Sequence, residues 1–278
     1  MNTIYKPKGA AAEYGDYAVN IYTGCPHRCY YCFAPKVLHR DREAFHSCVE
    51  PRKDIVPELR RKLEREKITG KLVHLCFTCD PYPTGCDTTT TREVIQTLKE
   101  YGNHVQILTK GDGSRDFDLL DGGDWYGVTI SCDAPMADEA EPGAVKPSDR
   151  LFSLEKVKCR GVNTWVSFEP VLDPAAVLDC IKGCAYFIDR VKIGKLNYHP
   201  SDIDWAKFGR EAVAACEEMG LDCYIKNGPF SRCQKRDCRR SGGPVLGRSG
   251  PGVAGVIQGL KGKRFEKFST RKCGDFHA

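Results

Sequence analysis

No stretch of the sequence approaches the roughly 20 apolar residues a helix needs to cross a bilayer, and the segment Met1 to Tyr17 is polar, with no apolar signal core. Cysteine is plentiful, but 16 in 278 residues stays below the density of a small disulfide scaffold. No repeat of fixed length and no low-complexity tract interrupts residues 1 to 226. These absences argue against a membrane-spanning chain, a secreted disulfide-stapled domain and a repeat array. A soluble protein of a reducing compartment, the cytoplasm, is expected.

A chain of 278 residues is long enough to bury a sizeable core, as one large domain or a domain with an appendage. The formal charge of +5 is unevenly spread. Between Gly228 and Ala278, twelve Lys or Arg stand against Asp237, Glu266 and Asp275, a local +9 that leaves the remainder near −4. Any affinity for a polyanion such as nucleic acid therefore resides in this C-terminal fifth. Its Gly, Pro and Ser content, including Ser241-Gly-Gly-Pro and Arg248-Ser-Gly-Pro-Gly, predicts a flexible extension. Three domains follow: an N-terminal segment 1–16, a core 17–227 and a basic extension 228–278.

Within the core, apolar β-branched runs alternate with helical patterns, which predicts an α/β protein with a parallel sheet. Strands are expected at Ala18–Tyr22, Leu72–Phe77, His104–Thr109, Tyr126–Ser131, Thr164–Phe168, Phe187–Ile193 and Asp222–Ile225. Helices are expected over Pro57–Glu66, Thr91–Tyr101, Ser148–Cys159, Pro174–Lys182 and Ile203–Met219, with starts marked by Thr90, Asp173 and Asp202. The acidic, proline-bearing loop Ala134 to Pro147 is expected to be exposed. The strand ends are more telling: Thr23-Gly24-Cys25, Thr78-Cys79-Asp80, Lys110-Gly111, Ser131-Cys132-Asp133, Glu169-Pro170, Lys195-Leu196-Asn197 and Lys226-Asn227. In a βα barrel such positions converge on one rim, where catalytic groups sit.

The organising stretch is Cys25-Pro-His-Arg-Cys29-Tyr-Tyr-Cys32, a C-x3-C-x2-C run. Its spacing cannot span a fold, so the thiols turn toward one object. Cubane iron–sulfur clusters normally take four thiolates; three local ones leave one iron open to a ligand other than protein. A structural zinc site using the same cysteines with His27 or Cys48 is an alternative, and it would make the chain a nucleic-acid-binding module without catalysis. A ferredoxin-type electron carrier wants a fourth cysteine at short spacing, and none follows Cys32 before Cys48.

The spacing, with Tyr31 just before the third cysteine, resembles that of the radical S-adenosylmethionine (SAM) superfamily. Thr78, Asp80, Pro81 and Tyr82, then Thr109-Lys110, then Ser131 narrow the likeness to its spore photoproduct lyase-like branch, and Phe168-Glu169-Pro170 and Lys192 to Asn197 look like further family elements. The resemblance implies an incomplete (β/α)6 TIM-like barrel and a [4Fe-4S] cluster on Cys25, Cys29 and Cys32 whose open iron chelates SAM. It implies reductive cleavage of SAM to a 5'-deoxyadenosyl radical that acts on a substrate, possibly nucleic acid as in DNA repair, and an electron donor such as flavodoxin or ferredoxin. Tyr31, Phe33, Lys110 and Ser131 would contact SAM by that likeness.

The residue chemistry can be read beside it. SAM carries a carboxylate, an ammonium, a ribose diol and a sulfonium. Lys110 can offset the carboxylate, Asp80 or Glu169 can accept from the ammonium, and Ser131 or Asn197 can bond ribose, with Thr78 and Lys195 at neighbouring strand ends. The lyases also use a cysteine as hydrogen-atom donor. Cys76 and Cys79 bracket the right strand end, but Phe77 stands where the lyase pattern has its donor, so thymine-dimer repair does not follow. Cys233, Cys238 and Cys273 offer three further thiols, for a second metal centre or for none.

Overall fold

The structure is a computed structural model that describes residues 3–226. Eight strands form one sheet in chain order: β1 (Ile4–Tyr5), β2 (Tyr17–Val19), β3 (Leu72–Leu75), β4 (His104–Thr109), β5 (Trp125–Thr129), β6 (Asn163–Phe168), β7 (Arg190–Ile193) and β8 (Asp222–Ile225). β1 pairs antiparallel with β2, and β2 through β8 are parallel. This is the expected incomplete TIM-like α/β barrel. Among the described residues its parallel run has seven strands rather than six, and the two-residue β1, too short for a periodicity to register, is an addition.

Helices α1 (Ala34–Val37), α2 (Arg42–Ser47), α3 (Ile55–Glu66), α4 (Thr89–Glu100), α5 (Ala134–Ala140), α6 (Pro147–Lys158), α7 (Pro174–Cys184) and α8 (Trp205–Met219) join the strands. The larger ones bury one apolar stripe each: Ile55, Leu59 and Leu63 on α3, Leu151, Leu154 and Val157 on α6. Asp173 caps α7, its side chain accepting from the Ala175 and Ala176 amides. The other two expected caps are displaced. Asp87 accepts from the Thr89 amide and hydroxyl, starting α4 two residues before Thr91, and Asp204 rather than Asp202 accepts from the first-turn amides of α8. No described helix is long and apolar enough to cross a membrane.

Alternation along the strands sorts side chains between the helical layer and the lumen. Register aligns His74 with Gln106, Leu108 with Gly127 and Trp165, and Thr129 with Ser167, Lys192 and Tyr224. Trp165 reaches across β5 and donates its indole N–H to the Ile107 carbonyl of β4 at 3.0 Å. A Cβ on Gly127 would lie 2.2 Å from that indole nitrogen, so the neighbouring strand β5 must carry glycine where the indole crosses it. The remaining lumen positions are unusually polar for a packed barrel. Asn227, the basic extension and Cys233, Cys238 and Cys273 lie outside the described residues.

Candidate active site

The three cysteines occupy a loop pressed between two backbones. Below it, a Cβ on Gly24 would meet the Phe45 carbonyl oxygen of α2 at 2.3 Å; above it, one on Gly143 would meet the Pro26 carbonyl at 2.2 Å. The Gly143 amide donates to the His27 carbonyl at 3.0 Å, and the Tyr30 amide to the Ala140 carbonyl at 3.0 Å. Arg42, on α2, donates to the carbonyls of Cys29 (2.5 Å), Tyr30 (3.0 Å) and Cys32 (3.3 Å). His46 adds a bond from Nδ1 to the Cys25 carbonyl at 2.8 Å. The loop is therefore held by its main chain, which leaves the thiols available.

Burial pushes the Cys25 thiol well above its ordinary value, with Asp80 adding to it, raises Cys29 to about 11, and raises Cys32 as well. Opposing this, Lys110 draws Cys29 and Cys32 toward the thiolate, Arg150 acts on Cys29 and Arg42 on Cys32, while the His27 amide bonds Cys25 and the Ala34 amide bonds Cys32. One buried and two half-buried thiols, cationic neighbours and amide donors form a donor set suited to a metal cluster, which would displace the thiol protons as it binds. His27 is engaged. Its Nε2 accepts from the Thr84 amide at 3.2 Å, so Nδ1 carries the proton and faces Asp80 Oδ2 at 3.5 Å. Both His27 ring nitrogens thus already have partners, and Cys48 is exposed.

Tyr31, between the second and third thiols, points into a sealed network. Its hydroxyl donates to Glu141 Oε1 and lies 3.0 Å from Ser131 Oγ, which itself donates to Glu141 Oε1 at 2.8 Å. Arg150 donates to Glu141 Oε2, to the Thr129 carbonyl and to the Val145 carbonyl. Lys110 Nζ lies 5.3 Å from the Tyr31 ring centre. Burial works against charge on both Glu141 and Lys110, yet each stays in its ionised range: Lys110 and Arg150 hold the Glu141 carboxyl below its ordinary value, and Cys29 and Glu141 hold the Lys110 ammonium above its own. Glu141 corrects the sequence reading of the acidic loop as exposed: the segment folds as α5 and delivers a carboxylate that is 2 % accessible.

Asp80 is also committed to protein. Oδ1 accepts from the Thr109 hydroxyl at 2.5 Å and the Tyr82 amide at 2.8 Å, and Oδ2 from the Lys110 amide at 2.8 Å. It ties the ends of β3 and β4 to His27 inside the cysteine loop. The Thr78 amide donates to Asn20 Oδ1 at 3.1 Å, and its hydroxyl is buried with no partner. Cys76 is buried, and Cys79 is half-buried with its sulfur 3.4 Å from the Tyr22 amide.

A second cluster occupies the lumen away from the thiols. Glu169 accepts from the Tyr14 hydroxyl at 3.0 Å and from Lys226 at 2.9 Å. Lys226 also donates to the Tyr14 hydroxyl at 2.8 Å and lies 3.3 Å from Glu13. Lys192, almost fully buried, sits 3.6 Å from the Tyr14 ring centre and 3.8 Å from Glu13; burial lowers its pKa to about 8. Glu13 and Tyr14 were not singled out by the sequence, since an N-terminal Glu-Tyr carries no signal of docking into a barrel, and Lys192 was named only as the start of the Lys192 to Asn197 element. Ser167, level with Lys192, has a buried hydroxyl without a partner.

At the surface, Tyr30, Tyr31, Cys32, Phe33, Tyr198 and His199 line a cavity of about 410 Å³ together with Lys36 and Arg42. It opens beside the third thiol and is wide enough for a flat ring system. Phe33 is thus brought to the cysteine loop. Lys195 and Asn197 are exposed, Lys195 lying over the Trp205 ring at 5.4 Å, and it is their successors Tyr198 and His199 that reach the cavity.

No protein-family model matches the sequence. An uncharacterised protein of Mycobacterium tuberculosis and one of Mycobacterium bovis are each 28% identical over 183 residues, covering 62% of this chain and 54% of theirs; the chain matches about half the length of these relatives. Among solved structures, a spore photoproduct lyase mutant superposes with a TM-score of 0.60 at 12% identity, covering 81% of this chain and 79% of that one. A lyase mutant with bound AdoMet and dinucleoside spore photoproduct gives 0.57 at 13%, covering 76% of each. Streptococcus suis SuiB bound to S-adenosylmethionine gives 0.56 at 12%, covering 77% of this chain and 47% of that one. The resemblance read from the cysteine run is thus matched by the fold.

Proposed function

We propose that the chain is a radical SAM enzyme, with Cys25, Cys29 and Cys32 holding a [4Fe-4S] cluster. The observation that carries this reading is the convergence of the buried Cys29, the half-buried Cys25 and Cys32, Lys110 and the Tyr31–Ser131–Glu141 network on one rim of a barrel whose fold is like that of SAM-binding proteins. The bound cluster would supply the electron that breaks the SAM sulfonium bond to give a 5'-deoxyadenosyl radical. The protein's own contribution is positional. Lys110 offers an ammonium to the SAM carboxylate, the cavity between Phe33, Tyr30 and His199 takes the adenine, and burial of the loop excludes water. Asp80 is committed to Thr109 and Lys110, and Glu169 to Tyr14 and Lys226 in the lumen; Ser131, beside Tyr31, would have to share its hydroxyl with the ribose.

For hydrogen return to a substrate radical, the half-buried Cys79 is better placed than Cys76. Nucleic acid is the proposed substrate class; the dinucleoside spore photoproduct bound in a structural neighbour and the +9 charge of residues 228–278 support it, and a flavodoxin- or ferredoxin-type protein would supply electrons. A cytoplasmic setting fits the described cysteines, none of which is in a disulfide. The test is anaerobic: reconstitution with iron and sulfide, reduction with dithionite and addition of SAM should yield 5'-deoxyadenosine in wild type and none in Cys29→Ala. Absence of product in wild type, or its persistence in the variant, overturns the reading.

A further inference from the structure

The lumen cluster around Lys192 takes no part in the proposed SAM chemistry. Lys192, on β7, keeps only 5% of its side chain accessible. Its ammonium faces the rings of Tyr14, Tyr224 and Trp165, at 3.6, 5.6 and 5.7 Å from their centres. The oxygens it meets among the described residues are both Glu13's, the carbonyl at 3.5 Å and Oε1 at 3.8 Å, whereas a charged donor ordinarily reaches its oxygen at about 2.8 Å. In register with it on β6, Ser167 is 1% accessible and its hydroxyl has no partner among the described residues. Two buried donors in one layer of the lumen thus lack a close acceptor.

The group nearest to filling that role is Glu13, and it arrives from outside the strands of the barrel. The short 3-10 helix Gly9–Glu13 buries none of its residues, so the glutamate is held by its charged partners rather than by an apolar face. Its Oε1 lies 3.3 Å from Lys226 and 3.8 Å from Lys192, and its side chain is 21% accessible. On the other side, Lys226 donates to Glu169 Oε2 at 2.9 Å. A Cβ on Gly194 would lie 2.8 Å from Glu169 Cγ, so that glycine leaves the room in which the carboxylate rests. Lys192, Lys226 and Glu169 together carry a single positive charge, which Glu13 brings to zero. Any singly charged oxyanion in its place would do the same.

We propose that this is an oxyanion-binding site, in which Lys192, Lys226 and Ser167 receive a singly charged oxyanion of a ligand in the place Glu13 fills in the free protein. Glu13 is an internal stand-in that swings toward solvent as the ligand enters. The chemistry recognised is that shared by a phosphodiester and a carboxylate: two oxygens bearing one charge, able to accept from both ammoniums and from the hydroxyl. That the ligand is a substrate rests on the radical SAM reading; the binding itself needs neither cluster nor SAM.

Equilibrium dialysis of the full chain as purified, without added SAM, tests it with two probes: the dinucleoside monophosphate TpT, whose one phosphodiester carries a single charge, and acetate. Wild type binds only in the fraction of molecules whose Glu13 has swung out, so Glu13→Ala is expected to bind one of the probes about tenfold more tightly. Lys192→Met or Lys226→Met, added to Glu13→Ala, should abolish that gain. A gain for TpT assigns the site to a phosphodiester, and a gain for acetate to a carboxylate. Whatever TpT binds to the +9 charge of residues 228–278 is common to all variants and cancels from the comparison. Circular dichroism spectra confirm that each variant is folded, and either lysine variant alone is decisive. The proposal is overturned if Glu13→Ala binds neither probe more tightly than wild type, or if the gain survives loss of a lysine. Failure to form 5'-deoxyadenosine would leave these results unchanged, so the two readings fail separately.

Discussion

Glu141 and Arg150 form an ion pair in which each side chain is 1% accessible, directly beneath the tyrosine that precedes the third cysteine. The pair connects α5 and α6 to the cysteine loop, and its charge is shared with Lys110. Removing one member leaves the other charge buried without compensation, and that penalty exceeds what the intact pair contributes.

Glu141→Gln is therefore expected to destabilise the fold by about 3 kcal/mol and to lower the iron retained per chain, because Tyr31 and Lys110 lose their shared acceptor. Urea denaturation and iron analysis of the same preparations check it. Arg150→Met, which removes the opposite charge, should be similarly damaging, whereas the exposed pair of Lys146 with Asp138 should be replaceable with little effect.

Arg42 holds three carbonyls of the cysteine loop from an exposed position. Arg42→Ala should cost only about 1 kcal/mol of global stability while accelerating loss of iron to a chelator, measured as bleaching of the reconstituted protein. Equal bleaching rates in wild type and variant would show that the carbonyl staple is not what fixes the loop.

Lys192 gives the lumen a pH signature. Its folded pKa, about 8, is below the ordinary 10.5 because of burial, so the unfolded chain binds this proton more tightly. The cost of burying the ammonium is fully present below pH 8 and is relieved as pH rises from about 8 toward 10.5. Lys192→Met should flatten that rise. The difference between the two urea-midpoint profiles isolates this lysine from the other groups that titrate there.

Tyr14→Phe keeps the ring over Lys192 but removes the hydroxyl that bridges Glu169 and Lys226. A loss of about 1 kcal/mol is expected, against about 3 to 5 kcal/mol for Tyr14→Ala, which also empties the lumen between His74, Phe77 and Trp165.

What could be read in advance was local. The cysteine run, the seven parallel strands and the polar residue after each strand are patterns within a few positions, and periodicity or spacing exposes them. Glu141 was illegible because its meaning comes from Tyr31 and Arg150 on other elements, and an acidic loop looks solvated until a buried arginine is placed against it. Asp80 and Glu169 showed the converse. Each was visible as a carboxylate at a strand end, but partners such as Thr109, 29 residues from Asp80, and Tyr14, 155 residues from Glu169, occupy its oxygens. Lys195 and Asn197 were near misses for the same reason: the positive φ of Tyr198 turns the chain, so the next two side chains line the cavity.

The electron paramagnetic resonance spectrum of the reduced, reconstituted chain, recorded before and after adding SAM, tests the central claim most directly. Three thiolates on four irons leave one iron for SAM to chelate, so the spectrum should shift on addition. A spectrum that SAM leaves unchanged, or a preparation holding zinc and no iron, would contradict the account.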